Sequence, residues 1–236
     1  MYKVVGIDEA GKGPVVGSMF IGFCYAYLAD GLKDLNGFQE ALQRDFGVKD
    51  SKLLSAKKRG EIYSRLREKL EIKYAQLTPE LIDSNKSSGK KLNELEIEAI
   101  VKVIEEIEPN LVIIDALTSN PTKFAHEIES RLSFECKIIA ENKADSKYPV
   151  VAAASIVAKQ LREQELEEIR QNIGIDIGSG YPSDPKTKEF IKNNYDSKEF
   201  DFIFRKCWQT YKNCLNEKVE KTIDEYFEKE KDKSGF

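Results

Sequence analysis

Residues 4–17 read Val4-Val5-Gly6-Ile7-Asp8-Glu9-Ala10-Gly11-Lys12-Gly13-Pro14-Val15-Val16-Gly17, an apolar strand that ends on two adjacent carboxylates and runs into a glycine-rich turn. Side chains alternate faces along a strand, so Asp8 and Glu9 can serve one ion only where that strand is ending or twisting. The glycines supply the ending. Gly11 and Gly13 can take positive φ or admit another backbone, and Pro14 has no N–H with which to continue a ladder. A turn of this kind suits a bound polymer backbone.

The strand needs a sheet, and 236 residues can bury one substantial α/β core with a smaller helical appendage. No apolar run approaches the ~20 residues of a membrane helix. The first seven residues are apolar strand rather than a secretory leader. A soluble, cytoplasmic protein is expected, with no membrane partner. Cys24, Cys136, Cys207 and Cys214 form no Cys-x-x-Cys pair, and His126 is the only histidine, so a structural zinc site is disfavoured and reduced thiols are expected. His126 lies in a helical pattern with no nucleophile beside it, which argues against a serine or cysteine hydrolase triad. The formal net charge of −4 hides an uneven distribution. Lys49, Lys52, Lys57, Lys58, Arg59, Arg65 and Arg67 crowd one stretch, and Lys90-Lys91 and Arg205-Lys206 form further basic pairs. Each alone reads as a solvated helix face; together, near glycine-rich turns, they fit phosphate contacts.

Strands are expected at 3–8, 17–27, 71–77, 111–115 and 136–140. The short Gly/Pro turn between the first two predicts an antiparallel hairpin, and helical patterns between the later ones predict parallel pairing. Helices are expected at 55–70, at 93–108 with Asn93 as its cap and Pro109 as its stop, at 121–132, and from Pro149 to about Arg170. The first turns of the last helix, Val150-Val151-Ala152-Ala153-Ala154-Ser155, are small enough to press against a sheet. A turn-rich stretch, 176–185, separates a catalytic unit, 1–175, from a C-terminal helical region, 176–236, expected to contact substrate. The charged residues Glu228–Phe236 are expected to fray.

Asp115 ends the apolar run Asn110-Leu111-Val112-Ile113-Ile114-Asp115, and Asp145 precedes the small-residue helix. If the first and fourth strands are neighbours, Asp8 and Asp115 meet at one edge, with Asp145 brought in by the helix. Singly, each aspartate also fits a turn or a helix cap. The adjacent pair Asp8-Glu9 does not, because only one of two can cap. Four converging carboxylates would repel and raise one another's pKa, which points to hard cations on oxygen ligands. Two magnesium or manganese ions ~4 Å apart could then activate water for phosphodiester cleavage.

Gly6-Ile7-Asp8-Glu9-Ala10-Gly11-Lys12-Gly13-Pro14 resembles the first motif of type 2 ribonucleases H, ribonuclease HII, and most closely the archaeal members. Four more blocks agree in order: Asp50-Ser51-Lys52, Ile114-Asp115-Ala116, Lys143-Ala144-Asp145 through Ser155-Ile156-Val157-Ala158-Lys159, and Gly178-Ser179-Gly180-Tyr181-Pro182-Ser183-Asp184-Pro185. The resemblance spans residues 3 to about 212. It implies an RNase H-like mixed five-stranded sheet flanked by helices, and endonucleolytic cutting of RNA in RNA–DNA hybrids, including single ribonucleotides embedded in duplex DNA, to give 3′-hydroxyl and 5′-phosphate ends. By resemblance Asp8, Glu9, Asp115 and Asp145 are the metal-binding carboxylates, with Asp8 bridging two Mg²⁺ or Mn²⁺ ions. Gly11, Lys12 and Gly13 match the turn whose backbone contacts the ribose 2′-hydroxyl, the group that separates RNA from DNA at one nucleotide. Tyr181 matches the tyrosine that packs under the adjoining sugar. Lys52 and Lys159 match positions facing the phosphate backbone.

Two positions depart from the family: Lys12 stands where Arg is usual, and Asn142 where His is usual. Lysine cannot make arginine's bidentate fork, so a looser phosphate contact and weaker junction preference are expected. Residues 220–227 partly resemble a sliding-clamp docking motif, with Glu220 where Gln is usual, although Val219, Ile223, Tyr226 and Phe227 also form one helical stripe suited to packing. A monomer is expected. Sugar kinases and actin-like ATPases share a related fold but need a second phosphate loop, which does not follow Asp115. A non-catalytic nucleic-acid-binding module would not require four convergent acids.

Overall fold

In this computed structural model, which describes residues 1–48, 54–116 and 118–216, β1 (Tyr2–Ala10) runs antiparallel to β2 (Met19–Leu28), and β2 antiparallel to β3 (Glu71–Leu77). On its other side β1 pairs in parallel with β4 (Leu111–Asp115), which pairs in parallel with β5 (Lys137–Glu141). The sheet order is therefore β3-β2-β1-β4-β5. The short turn after β1 allows only an antiparallel return, whereas β4 reaches β5 through a helix and so can run parallel. The register sets Ile7 opposite Ile114 and Asp115 opposite Glu141. Asp8 and Asp115 thus emerge side by side at the carboxyl ends of neighbouring strands.

Both faces of the sheet are covered, which is why β4 is almost wholly apolar. Val5, Ile7, Ile21, Phe23, Val112 and Ile114 pack beneath α4 (Leu92–Ile107) and α5 (Pro121–Glu129). Val4, Cys24, Leu111 and Ile113 face α1 (Leu35–Phe46), α2 (Ala56–Lys69) and α7 (Pro149–Ile173). The stripe Ile62, Leu66 and Leu70 is buried there, as its spacing predicts. The small residues that open α7 meet glycines on the strands. A Cβ on Gly6 would lie 2.3 Å from the Val150 carbonyl oxygen, and one on Gly22 would lie 2.4 Å from that of Ala154. Backbone therefore touches backbone, and no larger residue fits without moving α7. Gly6 and Gly22 carry no side chain for a hydropathy pattern to register, so only the assembled sheet and helix display this seam.

A third cluster joins Val15 and Val16 to Leu166 and Ile169 of α7, Phe190 and Ile191 of α8 (Pro185–Asn194), Ile203 and Phe204 at a 3₁₀ turn (Lys198–Ile203), and Tyr211 in the helical stretch 209–216. The C-terminal region thus packs directly on the turn that follows β1. Among the described residues no helix is long and apolar enough to cross a membrane. All four cysteines are free, with Cys24 and Cys136 buried.

Several local expectations are corrected. Asn93 does not cap α4: it lies inside the first turn, and the Lys91 N–H donates to Glu94 Oε2 at 2.6 Å. The helix expected to reach Leu132 ends at Glu129, where Arg131 and Leu132 donate back to the Ile128 and Glu129 carbonyls and tighten the chain. Helices α1 and α3 (Pro79–Ser87) are not expected from the sequence, whereas α8 falls within the helical region expected after residue 176. For α3 a signal is present: Thr78 accepts from a first-turn N–H and Pro79 follows at the first helical position, a start signal that is easily read as a break.

Candidate active site

Asp8, Asp115 and Asp145 each bring one carboxylate oxygen within 4.8 Å of the others. Asp8 and Asp115 arrive from adjacent strand ends. Asp145 is delivered by a local reversal rather than by α7 itself. Lys143 adopts a left-handed φ of 60° and starts the short helix α6 (Ala144–Lys147), whose Ala144 N–H donates to Asp115 Oδ1 at 3.2 Å. That bond ties the reversal to β4. Asp8 and Asp145 are buried, while Asp115 is half-buried.

Burial is the main reason the Asp8 carboxyl is pushed up to about 7, with Asp115 adding repulsion; a hydrogen bond from Ser155 and the positive charge of Lys159 work the other way. Asp8 Oδ1 also accepts the Glu9 N–H at 2.8 Å. Ser155, to which the sequence assigns no role beyond its place in a family block and its small size, and Lys159, 2.9 Å from its hydroxyl, orient and partly neutralise the central aspartate. Their i, i+4 spacing on the helix that follows Asp145 was the available signal.

Glu9 lies beside the three aspartates but outside that set. Its carboxyl is pushed up to about 8 by burial first, then by Asp8 and Glu96, with Lys12 opposing. Glu96, on α4, is 3% exposed and 2.6 Å from the Lys12 ammonium. Nothing in its helical stripe distinguishes it, since it alternates with apolar residues as a surface glutamate would.

The turn after β1 is held from several directions. Gly11 has φ 86°, and a Cβ there would meet the Ser18 carbonyl and the Arg162 side chain at 2.9 Å. The fully buried Arg205 donates to the carbonyls of Gly17 (2.8 Å), Lys12 (3.1 Å) and Gly11 (2.7 Å), and Trp208 donates to that of Gly13 at 3.1 Å. Arg205 also stacks over Trp208, 5.1 Å from its ring centre. The basic pair Arg205-Lys206, expected on the surface, is thus half wrong: Arg205 is a buried clamp, surrounded by carbonyl oxygens that replace its hydration.

Tyr181 stands on the opposite side of this turn. The Val15 N–H donates to the Gly180 carbonyl at 2.9 Å, and a Cβ on Gly13 would come within 3.7 Å of the Tyr181 ring. Arg162 lies 5.5 Å from the centre of that ring and donates to the Ser179 carbonyl at 2.8 Å. Glu9, the Gly11–Gly13 turn, Arg59, Lys159, Arg162, Arg170, Tyr181 and Lys186 line one cleft of about 1280 Å³. Lys52 and the block Asp50-Ser51-Lys52 lie outside the described residues, as do residues 220–227. The three aspartates form one cluster, and Glu9, the glycine turn, Lys159 and Tyr181 line the adjoining cleft.

A five-stranded mixed sheet of this order, with a buried and a half-buried aspartate at the ends of two neighbouring central strands, defines an RNase H-like nuclease. The ribonuclease HII family model matches residues 5–211. A ribonuclease HII of Methanococcus maripaludis (strain C5) is 42% identical over 226 residues, covering 93% of this chain and 90% of that protein. The crystal structure of ribonuclease H2 from Pyrococcus horikoshii OT3 superposes with a TM-score of 0.80 at 38% identity, covering 91% of this chain and 98% of that one. RNase HII in a complex with PCNA from Archaeoglobus fulgidus superposes at 0.70 with 36% identity, covering 80% and 85%. The chain belongs to the ribonuclease HII family: it is a metal-dependent endoribonuclease that cuts the RNA strand of RNA–DNA hybrids.

Proposed function

We propose that this enzyme also nicks duplex DNA on the 5′ side of single embedded ribonucleotides, using two divalent ions and leaving 3′-hydroxyl and 5′-phosphate ends. The observation that carries the reading is that the Gly11–Gly13 turn, with Tyr181 packed against it, lines one cleft with Glu9 and Lys159, which lie beside the aspartate cluster. Cutting at one ribonucleotide requires that a single 2′-hydroxyl be recognised next to the reacting phosphate.

The donor set fits hard cations: three buried or half-buried aspartates with mutually close oxygens, one of them raised by burial and repulsion, are poorly stable without positive charge between them. Asp8, Asp115 and Asp145 would hold Mg²⁺ or Mn²⁺, with Glu9 completing the set. When bound, such ions lower the pKa of the attacking water and offset charge on the leaving oxygen. The remaining work belongs to the chain. Ser155 and Lys159 keep Asp8 oriented; the Gly11–Gly13 backbone meets the ribose; the Tyr181 ring packs under the adjoining sugar, backed by Arg162. Arg59, Lys159 and Lys186 along the cleft would meet phosphates, and the region from residue 176 onward would form one wall of the cleft.

Docking of residues 220–227 onto a sliding clamp, in a cytoplasmic setting, belongs to the same proposal; a related enzyme's complex with PCNA supports it. The deciding experiment incubates the protein with duplex DNA carrying one ribonucleotide, with Mg²⁺, with Mn²⁺ and with EDTA, and repeats it with Asp8→Asn. Metal-dependent nicking that Asp8→Asn abolishes is expected. Nicking that survives EDTA or the substitution would overturn the two-ion reading.

A further inference from the structure

We propose that Glu96 holds the Lys12 ammonium out of the substrate's path, so that in this chain the Gly11–Lys12–Gly13 turn meets the nucleic acid through its backbone and Lys12 makes no phosphate contact. Lys12 occupies the middle of the recognition turn and lines the cleft. A lysine there would ordinarily be counted among the phosphate-binding charges. Its Nζ instead lies 2.6 Å from Glu96 Oε2, with the Glu96 side chain 4% exposed and that of Lys12 22%. Glu96 sits on α4 and is itself 3% exposed, so its carboxylate is held in a buried position where the Lys12 ammonium is its charged partner.

The alternatives for the ammonium are unequal. A phosphate reached through the cleft stays partly hydrated, whereas a buried carboxylate deprived of its partner has nothing to replace the lost charge. Glu9, a second carboxyl on the same side, also interacts favourably with Lys12 when ionised. Lysine carries one compact charge, and that charge is committed; a guanidinium, with five donors in a fork, could pair with a carboxylate and still offer N–H groups to a phosphate. The turn is also fixed at its carbonyls by Arg205 and Trp208, so it does not need the Lys12 side chain to shape itself on substrate.

This inference rests on the cleft being the nucleic-acid site. It is tested by binding a duplex that carries one ribonucleotide, with Ca²⁺ in place of Mg²⁺ and the duplex checked for intactness, across a series of salt concentrations. Each phosphate contact by a lysine contributes about 0.9 to the slope of log K against log salt for duplex DNA. Glu96→Gln, which frees Lys12, is expected to steepen the slope by about 0.9 relative to wild type. The double variant Lys12→Met/Glu96→Gln, with both charges gone and no buried carboxylate stranded, is expected to return to the wild-type slope. A double variant shallower than wild type by about 0.9 would show that Lys12 already contacts phosphate and would overturn the proposal. So would a Glu96→Gln slope equal to wild type. The functional reading fails separately, if wild-type protein with Mg²⁺ leaves the ribonucleotide-bearing strand uncut.

Discussion

Replacing Asp8 by asparagine should stabilise the metal-free protein at pH 8 while destroying its response to metal. The folded state raises the Asp8 carboxyl from 3.8 to about 7 and that of Glu9 from 4.5 to about 8, chiefly by burial and then by neighbouring acids. An acid raised on folding makes the native state bind more protons than the unfolded chain between those values. Stability is therefore fully present below about pH 4 as far as these groups are concerned, and falls as pH rises toward 8. At about 1.4 kcal/mol per pKa unit, ionising Asp8 in place costs up to about 4 kcal/mol. That cost is already net of the attraction to Lys159, and asparagine keeps the acceptor for the Glu9 N–H, found at 2.8 Å; with relaxation of the surrounding groups a net gain of about 2–3 kcal/mol is expected at pH 8. For a chain of this size that is a rise of roughly 5–10 °C in Tm. The assay is thermal or urea unfolding in EDTA at pH 5 and pH 8, then with Mg²⁺ or Mn²⁺. Wild type should be less stable at pH 8 than at pH 5 and should gain from metal at pH 8, because an ion bound only by the native state stabilises by mass action. Asp8→Asn should show a smaller pH difference and little gain. The reasoning is refuted if Asp8→Asn unfolds more readily than wild type at pH 8 without metal, or if metal raises both proteins equally.

Arg205→Lys removes the fork that holds three carbonyls and leaves at least one without its donor, so a loss of about 2–4 kcal/mol in urea unfolding is expected, together with reduced cutting at single ribonucleotides. An unchanged unfolding midpoint would mean that the carbonyls are solvated instead. Tyr181→Ala, at a residue 42% exposed and packed beside the Gly11–Gly13 turn, should leave the unfolding midpoint within about 0.5 kcal/mol. It should slow nicking at a single ribonucleotide by more than it weakens binding to plain duplex DNA, and equal losses in the two measurements would make Tyr181 only a packing residue.

How much of the site could be read in advance depended on how local its causes are. Asp8 and Asp115 each end an apolar run, and a strand end is a local property of alternation and turn residues, so both stood out. Tyr181 stood out because glycines and prolines surround it. Arg205 did not, because its burial is decided by carbonyl oxygens of the turn near residue 11, almost two hundred residues away in the chain. Ser155 was hidden for the opposite reason: in a run of alanines and valines its hydroxyl counts as a small side chain until Asp8 is placed beside it. Helix α3 is not legible although its cap is local, since proline marks both the start of a helix and a break in one.

By itself the sequence determined the strands, the main amphipathic helices and the candidate carboxylates Asp8, Glu9, Asp115 and Asp145. Their residue types and periodicity constrain the backbone over a few residues, and that suffices for elements and strand ends. Only the tertiary structure decided that β1 lies between β2 and β4, which turns separate strand ends into one carboxylate cluster. It also decided that Glu9 lies beside the three mutually close aspartates and that Lys12 answers to Glu96 rather than to solvent. Charge pairing acts through space within a few ångströms, and burial sets how strongly, so a lysine at position 12 has no defined task until α4 brings a buried carboxylate against it.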